Sequence, residues 1–216
     1  MQNNTAFSWQ RYNNTPIVGI VRGSDLDTVK HIVNAYIAAK FYTIEITMNT
    51  PNVAKIITEL RLNYPDLNVG AGTVCNLADL DIAIAAGAQF IVTPILDEEV
   101  IKKCVEMQIP IFPGAYSPTE IYRAWSLGAS AVKVFPATQL GPKFIKDVLA
   151  PLNQIKLMPT GGVSKDNIKS FFEAGVVGAG MGSSLFDKKM IKNNDFEALQ
   201  NHFTAIRNEI ELFTKI

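Results

Sequence analysis

One lysine interrupts an otherwise apolar run, Ala131-Val132-Lys133-Val134-Phe135. In a strand, side chains alternate between faces, so Ala131, Lys133 and Phe135 share one side and Val132 and Val134 the other. If the valines meet flanking helices, Lys133 points into the interior. Burying an ammonium is expensive, and the usual relief is a lowered pKa. The neutral amine that results is what attack on a ketone requires. The plainer alternative is a lysine that snorkels to the rim or pairs with a structural carboxylate.

Glu45 makes the same kind of interruption in Thr43-Ile44-Glu45-Ile46-Thr47. A carboxyl group beside an amine in an apolar chamber can shuttle protons through carbinolamine formation, dehydration and carbon–carbon cleavage. It can equally be the counter-ion of Lys133 or Arg22, and the two roles are compatible. Arg22 precedes Gly23 at a strand exit, where a guanidinium can hold a substrate carboxylate through a paired contact or simply face solvent.

Two glycine-rich segments, Thr160-Gly161-Gly162-Val163-Ser164 and Gly180-Met181-Gly182-Ser183-Ser184, suit an anion. Glycine lets backbone N–H groups approach phosphate oxygens closely. Either segment alone also reads as a tight turn. Gly70-Ala71-Gly72-Thr73 offers further backbone and a hydroxyl.

The elements that must carry these residues alternate along the chain. Pro16 to Arg22, Tyr42 to Thr47, Asn68 to Gly72, Gln89 to Thr93, Pro110 to Pro113, Ala129 to Phe135, Ile155 to Pro159 and Val177 to Met181 read as buried parallel strands. Helical patterns lie between them. Ser24 is expected to cap the helix of Asp25 to Ala39, and Pro51 to open the one that runs to Tyr64. Ser117 is expected to cap a helix starting at Pro118, Ser164 one ending near Gly175, and Asp195 to Phe213 to form the closing helix.

About eight such units predict an α/β fold, a single (β/α)₈ TIM barrel with an extra N-terminal helix. Residues 1–15 form the helical extension in this reading, with Thr5 to Asn14 plugging the barrel bottom, and 16–216 the catalytic barrel. An open doubly wound sheet is the rival, but it usually has fewer units and a nucleotide fingerprint. Barrel enzymes place their chemistry at the C-terminal ends of strands, and the glycine segments follow strands seven and eight, the usual phosphate grip.

The 216 residues are 48% hydrophobic and 19% charged, which suggests a large core or a buried subunit face. Lys+Arg and Asp+Glu both total 20, so no overall field recruits nucleic acid or a membrane surface. Cys75 and Cys104 lack metal-site or redox spacing and are expected to be reduced. No apolar run approaches the roughly 20 residues of a membrane helix, and no signal peptide is read, so a cytoplasmic location is expected. His31 and His202 fall in expected surface helices without neighbouring ligands, so no metal is expected.

Together Ile44-Glu45-Ile46-Thr47, Val69-Gly70-Ala71-Gly72-Thr73-Val74, Phe112-Pro113-Gly114, Val132-Lys133-Val134-Phe135-Pro136, Pro159-Thr160-Gly161-Gly162 and Gly182-Ser183 resemble the 2-keto-3-deoxy-6-phosphogluconate aldolases and their 6-phosphogalactonate and 4-hydroxy-2-oxoglutarate relatives. The likeness runs from Pro16 to about Ile206. It implies a homotrimer and a metal-free Schiff-base mechanism, with no cofactor beyond the covalent link at Lys133. It implies further that Lys133 bonds the C2 ketone, Glu45 is the general acid and base, and Gly72 and Thr73 lie against the pyruvyl part. Thr160, Gly161, Gly162, Gly182 and Ser183 would surround the phosphate. The implied partners are a phosphorylated 2-keto acid and pyruvate.

One position departs from the pattern. Some members carry an arginine two residues after the threonine of the Glu-x-Thr motif, where this chain has Asn49. Others, including galactonate-type members, end the first strand with arginine, as Arg22 does here. Asn49 and the Leu140-Gly141-Pro142 loop favour that subgroup and leave the C4 configuration of the substrate open. A phosphosugar isomerase or epimerase on the same barrel, and a silent sugar-phosphate binder, are the competing functions. The first would exchange protons without cleaving carbon–carbon bonds; the second would turn nothing over.

Overall fold

The computed structural model describes residues 6–214, so residues 1–5 of the expected extension, Thr5 included, and the last two residues lie outside the description. Nine short strands run in parallel: β1 (Ile17–Val21), β2 (Thr43–Thr47), β3 (Asn68–Gly72), β4 (Ile91–Val92), β5 (Ile111–Phe112), β6 (Gly114–Ala115), β7 (Val132–Val134), β8 (Leu157–Pro159) and β9 (Ala179–Met181). They pair in the order β5-β4-β3-β2-β1-β9 and β6-β7-β8. A parallel bridge between Thr160 and Gly180 and the Val177 N–H on the Leu157 carbonyl, 3.0 Å, join β8 to β9 and close the cylinder. The barrel expected from the sequence is present.

Its fifth stave is broken, which the sequence reading did not anticipate. Pro113 has no N–H to give the ladder, so β5 and β6 separate there. β5 pairs with β4, while β6 pairs with β7 through Gly114 and Lys133. The Thr93 hydroxyl accepts from the Gly114 N–H at 3.2 Å and carries the pairing across the break.

Strand alternation sorts the core into two parts. Ile44, Ile46, Val69, Ala71, Ile91, Ile111, Val132, Val134 and Leu157 face outward and pack with the helices. Val18, Phe90, Val92, Phe112, Ala131 and Met158 face inward and cluster with Phe7 and Tyr12, filling the lower barrel. Helix α1 (Trp9–Asn14) brings Tyr12 into this layer, stacked on Phe112. Asn68, fully buried, accepts from the Ser8 N–H at 2.8 Å and donates to the Ser8 carbonyl at 2.9 Å, while Gln89 donates to the Ala6 carbonyl. These contacts pair the buried amides of Asn68 and Gln89 with backbone groups of the segment beneath the barrel.

The outer ring comprises α2 (Leu26–Ala38), α3 (Val53–Asn63), α4 (Leu77–Ala85), α5 (Glu98–Glu106), α6 (Pro118–Ser126), α7 (Gly141–Leu149), α8 (Ile168–Glu173), α9 (Lys188–Lys192) and α10 (Phe196–Glu209). α6 begins as read, with a reciprocal Ser117–Glu120 capping box. Three helix starts differ. Asp25, rather than Ser24, caps α2, because its carboxylate reaches both the N–H and the hydroxyl of Thr28. Pro51 lies in a turn before α3, since Asn52 adopts a left-handed φ of 58°. Ser164 does not cap α8: its N–H donates to the Asn167 side chain, and turns delay the helix to Ile168.

Candidate active site

The inward faces of the strands place the singled-out residues at the upper, C-terminal end. On β2, Ile44 and Ile46 pack outward, so Thr43, Glu45 and Thr47 face the interior; on β7, the outward valines leave Lys133 inside. Glu45 is 1% exposed and Lys133 5%. Gly72, paired with Thr47, makes room for the acid: a Cβ there would collide with the Glu45 carboxyl.

Neither group is neutralised by a close contact. The Lys133 side chain forms no hydrogen bond or ion pair with the described residues. Its Nζ lies 4.8 Å from the centre of the Phe135 ring. Glu45 Oε2 is buried without a hydrogen-bond partner. Burial therefore dominates both titrations. It pushes the Glu45 carboxyl up to about 7, against the pull of Lys133 and Arg22. It pulls the Lys133 ammonium down, with Arg22 acting in the same direction and Glu45 and Cys75 opposing. An amine and a carboxyl group, each pushed toward its neutral form by burial, face the same barrel interior.

Above them opens a cavity of about 800 Å³ that gathers Arg22, Thr160, Gly161, Gly162, Gly182 and Ser183 on its wall. Phe135 also lines it and links it to Lys133, one pleat below. Lys133, Glu45, Gly72 and Thr73 are not on that wall. Arg22 connects the two regions electrically, since its charge acts on both Glu45 and Lys133. Thr73 follows β3 with a left-handed φ of 58°, which is strained for a β-branched residue and costs about 1–3 kcal/mol.

Gly161 and Gly162 take φ values of 87° and 75°, which an L side chain would resist, so the turn after β8 needs its glycines. The Thr160 hydroxyl is buried without a partner in the wall of the cavity. Turns follow this loop, where the sequence reading placed a helix N-terminus. Asn167 braces the loop by donating to the Gly162 carbonyl at 2.8 Å. The Ser184 hydroxyl donates to the Val163 carbonyl at 2.5 Å and joins the two glycine segments. His202 is not simply solvated, because its Nε2 lies 2.9 Å from the Ser184 carbonyl. His31 is exposed and stacks on Phe196.

Sequence reasoning missed these braces, and also Thr50. That hydroxyl is buried, sits 3.0 Å from the Thr47 hydroxyl and accepts from the Gly23 N–H at 3.0 Å. It ties the loop after β1, and so Arg22, to the strand carrying Glu45. The Thr47-x-x-Thr50 spacing was the available signal. Asn49 is exposed at the same turn. Both cysteines are free, and among the described residues no group of three or more His, Cys, Asp or Glu side chains is placed to hold a metal.

A closed parallel βα barrel whose polar residues converge at the C-terminal ends of its strands defines the class: a TIM-barrel enzyme. The family model "Aldolase: KDPG and KHG aldolase" matches residues 9–202. The chain is 36% identical over 180 residues to the 2-dehydro-3-deoxy-6-phosphogalactonate aldolase of Escherichia coli, covering 82% of this chain and 87% of that one. It is 34% identical over 184 residues to the 2-dehydro-3-deoxy-phosphogluconate aldolase of Haemophilus influenzae, covering 85% and 87%. The native KDPGal structure superposes with a TM-score of 0.85 at 32% identity, covering 93% of this chain and 97% of that one. A KDPG aldolase from Legionella pneumophila with pyruvate captured as a covalent carbinolamine superposes at 0.78 with 25% identity, covering 95% and 97%. The chain belongs to the KDPG and KHG aldolase family.

The shifted groups weigh on stability with definite signs. Glu45 titrates higher when folded, so its contribution is full below its unfolded value and is lost as pH rises through about 7. Lys133 titrates lower when folded, so its contribution is full above its unfolded value and is lost as pH falls through the folded one. Near neutral pH both ionisations oppose folding. Lys133→Met is therefore expected to raise the melting temperature at pH 7, by about 2–4 °C for each kcal/mol recovered, with the gain growing as pH is lowered from about 10 to 7. Calorimetry on both proteins across that range checks this; a lowered melting temperature would show that the ammonium is a structural partner.

Proposed function

We propose that this enzyme cleaves a 2-keto-3-deoxy-6-phosphohexonate, of gluconate or galactonate configuration, into pyruvate and glyceraldehyde 3-phosphate through a Schiff base on Lys133. The observation that carries the reading is the buried Lys133 amine without an ion-pair partner, in the same chamber as a buried, half-neutral Glu45. Related proteins named for both substrates, and a family member holding pyruvate as a carbinolamine, support it.

In this mechanism the neutral Lys133 amine adds to the C2 ketone and gives a carbinolamine. Glu45, protonated, delivers a proton to the departing hydroxyl, and water leaves with formation of the iminium. The Glu45 carboxylate then accepts the proton of the C4 hydroxyl. The C3–C4 bond breaks, its electron pair moves into the iminium, and the aldehyde departs. Protonation of the enamine at C3 and hydrolysis return pyruvate and free Lys133. A carboxyl group that titrates near 7 is suited to give and take protons at neutral pH. Arg22 serves the substrate carboxylate, Gly72 and Thr73 flank the pyruvyl carbons, and Thr160, Gly161, Gly162, Gly182 and Ser183 hold the phosphate. No step calls for a metal ion.

The same reading includes a homotrimer. Leu77 and Ile82 on α4, Val105 on α5, Met107 after it and Tyr122 on α6 are large, exposed and borne on consecutive helices of the ring. An apolar belt of that kind suits self-association.

Borohydride reduction in the presence of pyruvate is expected to add a reduced pyruvyl group at Lys133 in peptide mass spectra, and to add none in Lys133→Met. A lactate-dehydrogenase-coupled assay is expected to show pyruvate release from the phosphorylated hexonates, falling about 10²- to 10⁴-fold in Glu45→Gln. Proton exchange without pyruvate release would instead identify an isomerase or epimerase, and binding without turnover a silent carrier. Light scattering is expected to give about three times the 23.7 kDa chain mass; a monomeric mass would remove the trimer.

A further inference from the structure

The proposed phosphate loops supply hydrogen-bond donors from backbone and hydroxyl groups but no full positive charge. Two side chains outside those loops do. Lys188 and Lys192, the first and last residues of α9, are one helical turn apart and both line the upper cavity. Lys189 on the same helix does not line it. Neither Lys188 nor Lys192 forms a hydrogen bond or ion pair through its side chain with the described residues. Like charges at this spacing repel one another rather than pair.

The rest of the wall leaves that charge open to a ligand. Among the described residues no aspartate or glutamate lines the cavity. The nearest acid in sequence, Asp187, is turned away: its carboxylate accepts from the Lys189 N–H at 2.8 Å and the Met190 N–H at 3.0 Å. The three full charges on the wall are Arg22, Lys188 and Lys192, all positive. A phosphorylated 2-keto acid carries one carboxylate and a phosphate monoester of about −1.5 to −2 at neutral pH. With Arg22 on the carboxylate, the two lysines match the phosphate dianion.

We infer that Lys188 and Lys192 form the charge-selective part of the phosphate site and make the enzyme discriminate phosphorylated from unphosphorylated 2-keto acids. This rests on the aldolase reading for its substrate. The backbone cup orients the phosphate, and the α9 pair determines that a dianion is preferred there. These are binding residues, remote from the reacting carbons, so their effect falls on KM more than on kcat.

The test compares the double variant Lys188→Gln/Lys192→Gln with Lys189→Gln and the parent. The ratio of kcat/KM for the 6-phosphorylated hexonate to that for its unphosphorylated form is expected to fall about tenfold or more in the double variant, mainly through KM. Lys189→Gln is expected to leave the ratio unchanged. Titration calorimetry with inorganic phosphate, which needs no turnover, is expected to show a matching loss of affinity in the double variant alone. An unmoved ratio and unmoved phosphate affinity, or an equal shift in Lys189→Gln, would overturn the inference. Failure of the parent to trap pyruvate on Lys133 would remove the aldolase reading instead, and the phosphate titration would still decide the lysines.

Discussion

An amine that must shed its proton before it can attack a ketone has to sit where water cannot stabilise its charge, and most features of this barrel follow from that requirement. In the proposed mechanism Lys133 is that amine: Val132 and Val134 take the outward face of β7, and the lower barrel is filled by Phe90, Phe112, Met158 and their neighbours. Dry protein lies below the amine and the cavity opens above it. A close carboxylate partner would hold the ammonium charged. Glu45 shares the chamber and favours the ammonium, but burial drives Glu45 toward its own neutral form and so reduces that support.

Stability and chemistry are thereby separated along the barrel axis. The lower end carries the aromatic plug with Tyr12 and the amide brackets of Asn68 and Gln89. The upper end carries what the fold would discard if stability alone mattered: two ionisable groups without partners, an unpaired hydroxyl on Thr160 and a left-handed Thr73. Braces compensate in part. Thr50 secures the turn beside Arg22, and Asn167, Ser184 and His202 secure the glycine loops. The site is held by residues that have no role in the proposed chemistry.

Period-two alternation made Lys133 and Glu45 legible in the sequence, because a charged residue inside a β-branched run has few ordinary explanations. Eight apolar runs also made the barrel legible. Helix starts were harder, since Ser24 and Asp25 are both competent caps and only the reach to Thr28 selects the second. Asn167 hid in the same way: its side chain serves the loop, so the Ser164 signal pointed three residues too early. The break in the fifth stave was visible as Pro113, but which half pairs with which neighbour depends on closure of the whole cylinder. Lys188 and Lys192 could not be singled out, because exposed lysines on a short helix look solvated until the cavity beside them is seen.

The proposed chemistry turns on the ionisation of one nitrogen. Lysine side-chain ¹⁵N resonances, with the Lys133 signal assigned by comparison with Lys133→Met, would follow its protonation directly through a pH titration of the unliganded enzyme. A midpoint well below that of the surface lysines is the predicted result. A midpoint among them, near about 10.4, would mean that the amine is not held dry, and the nucleophile would have to be sought elsewhere.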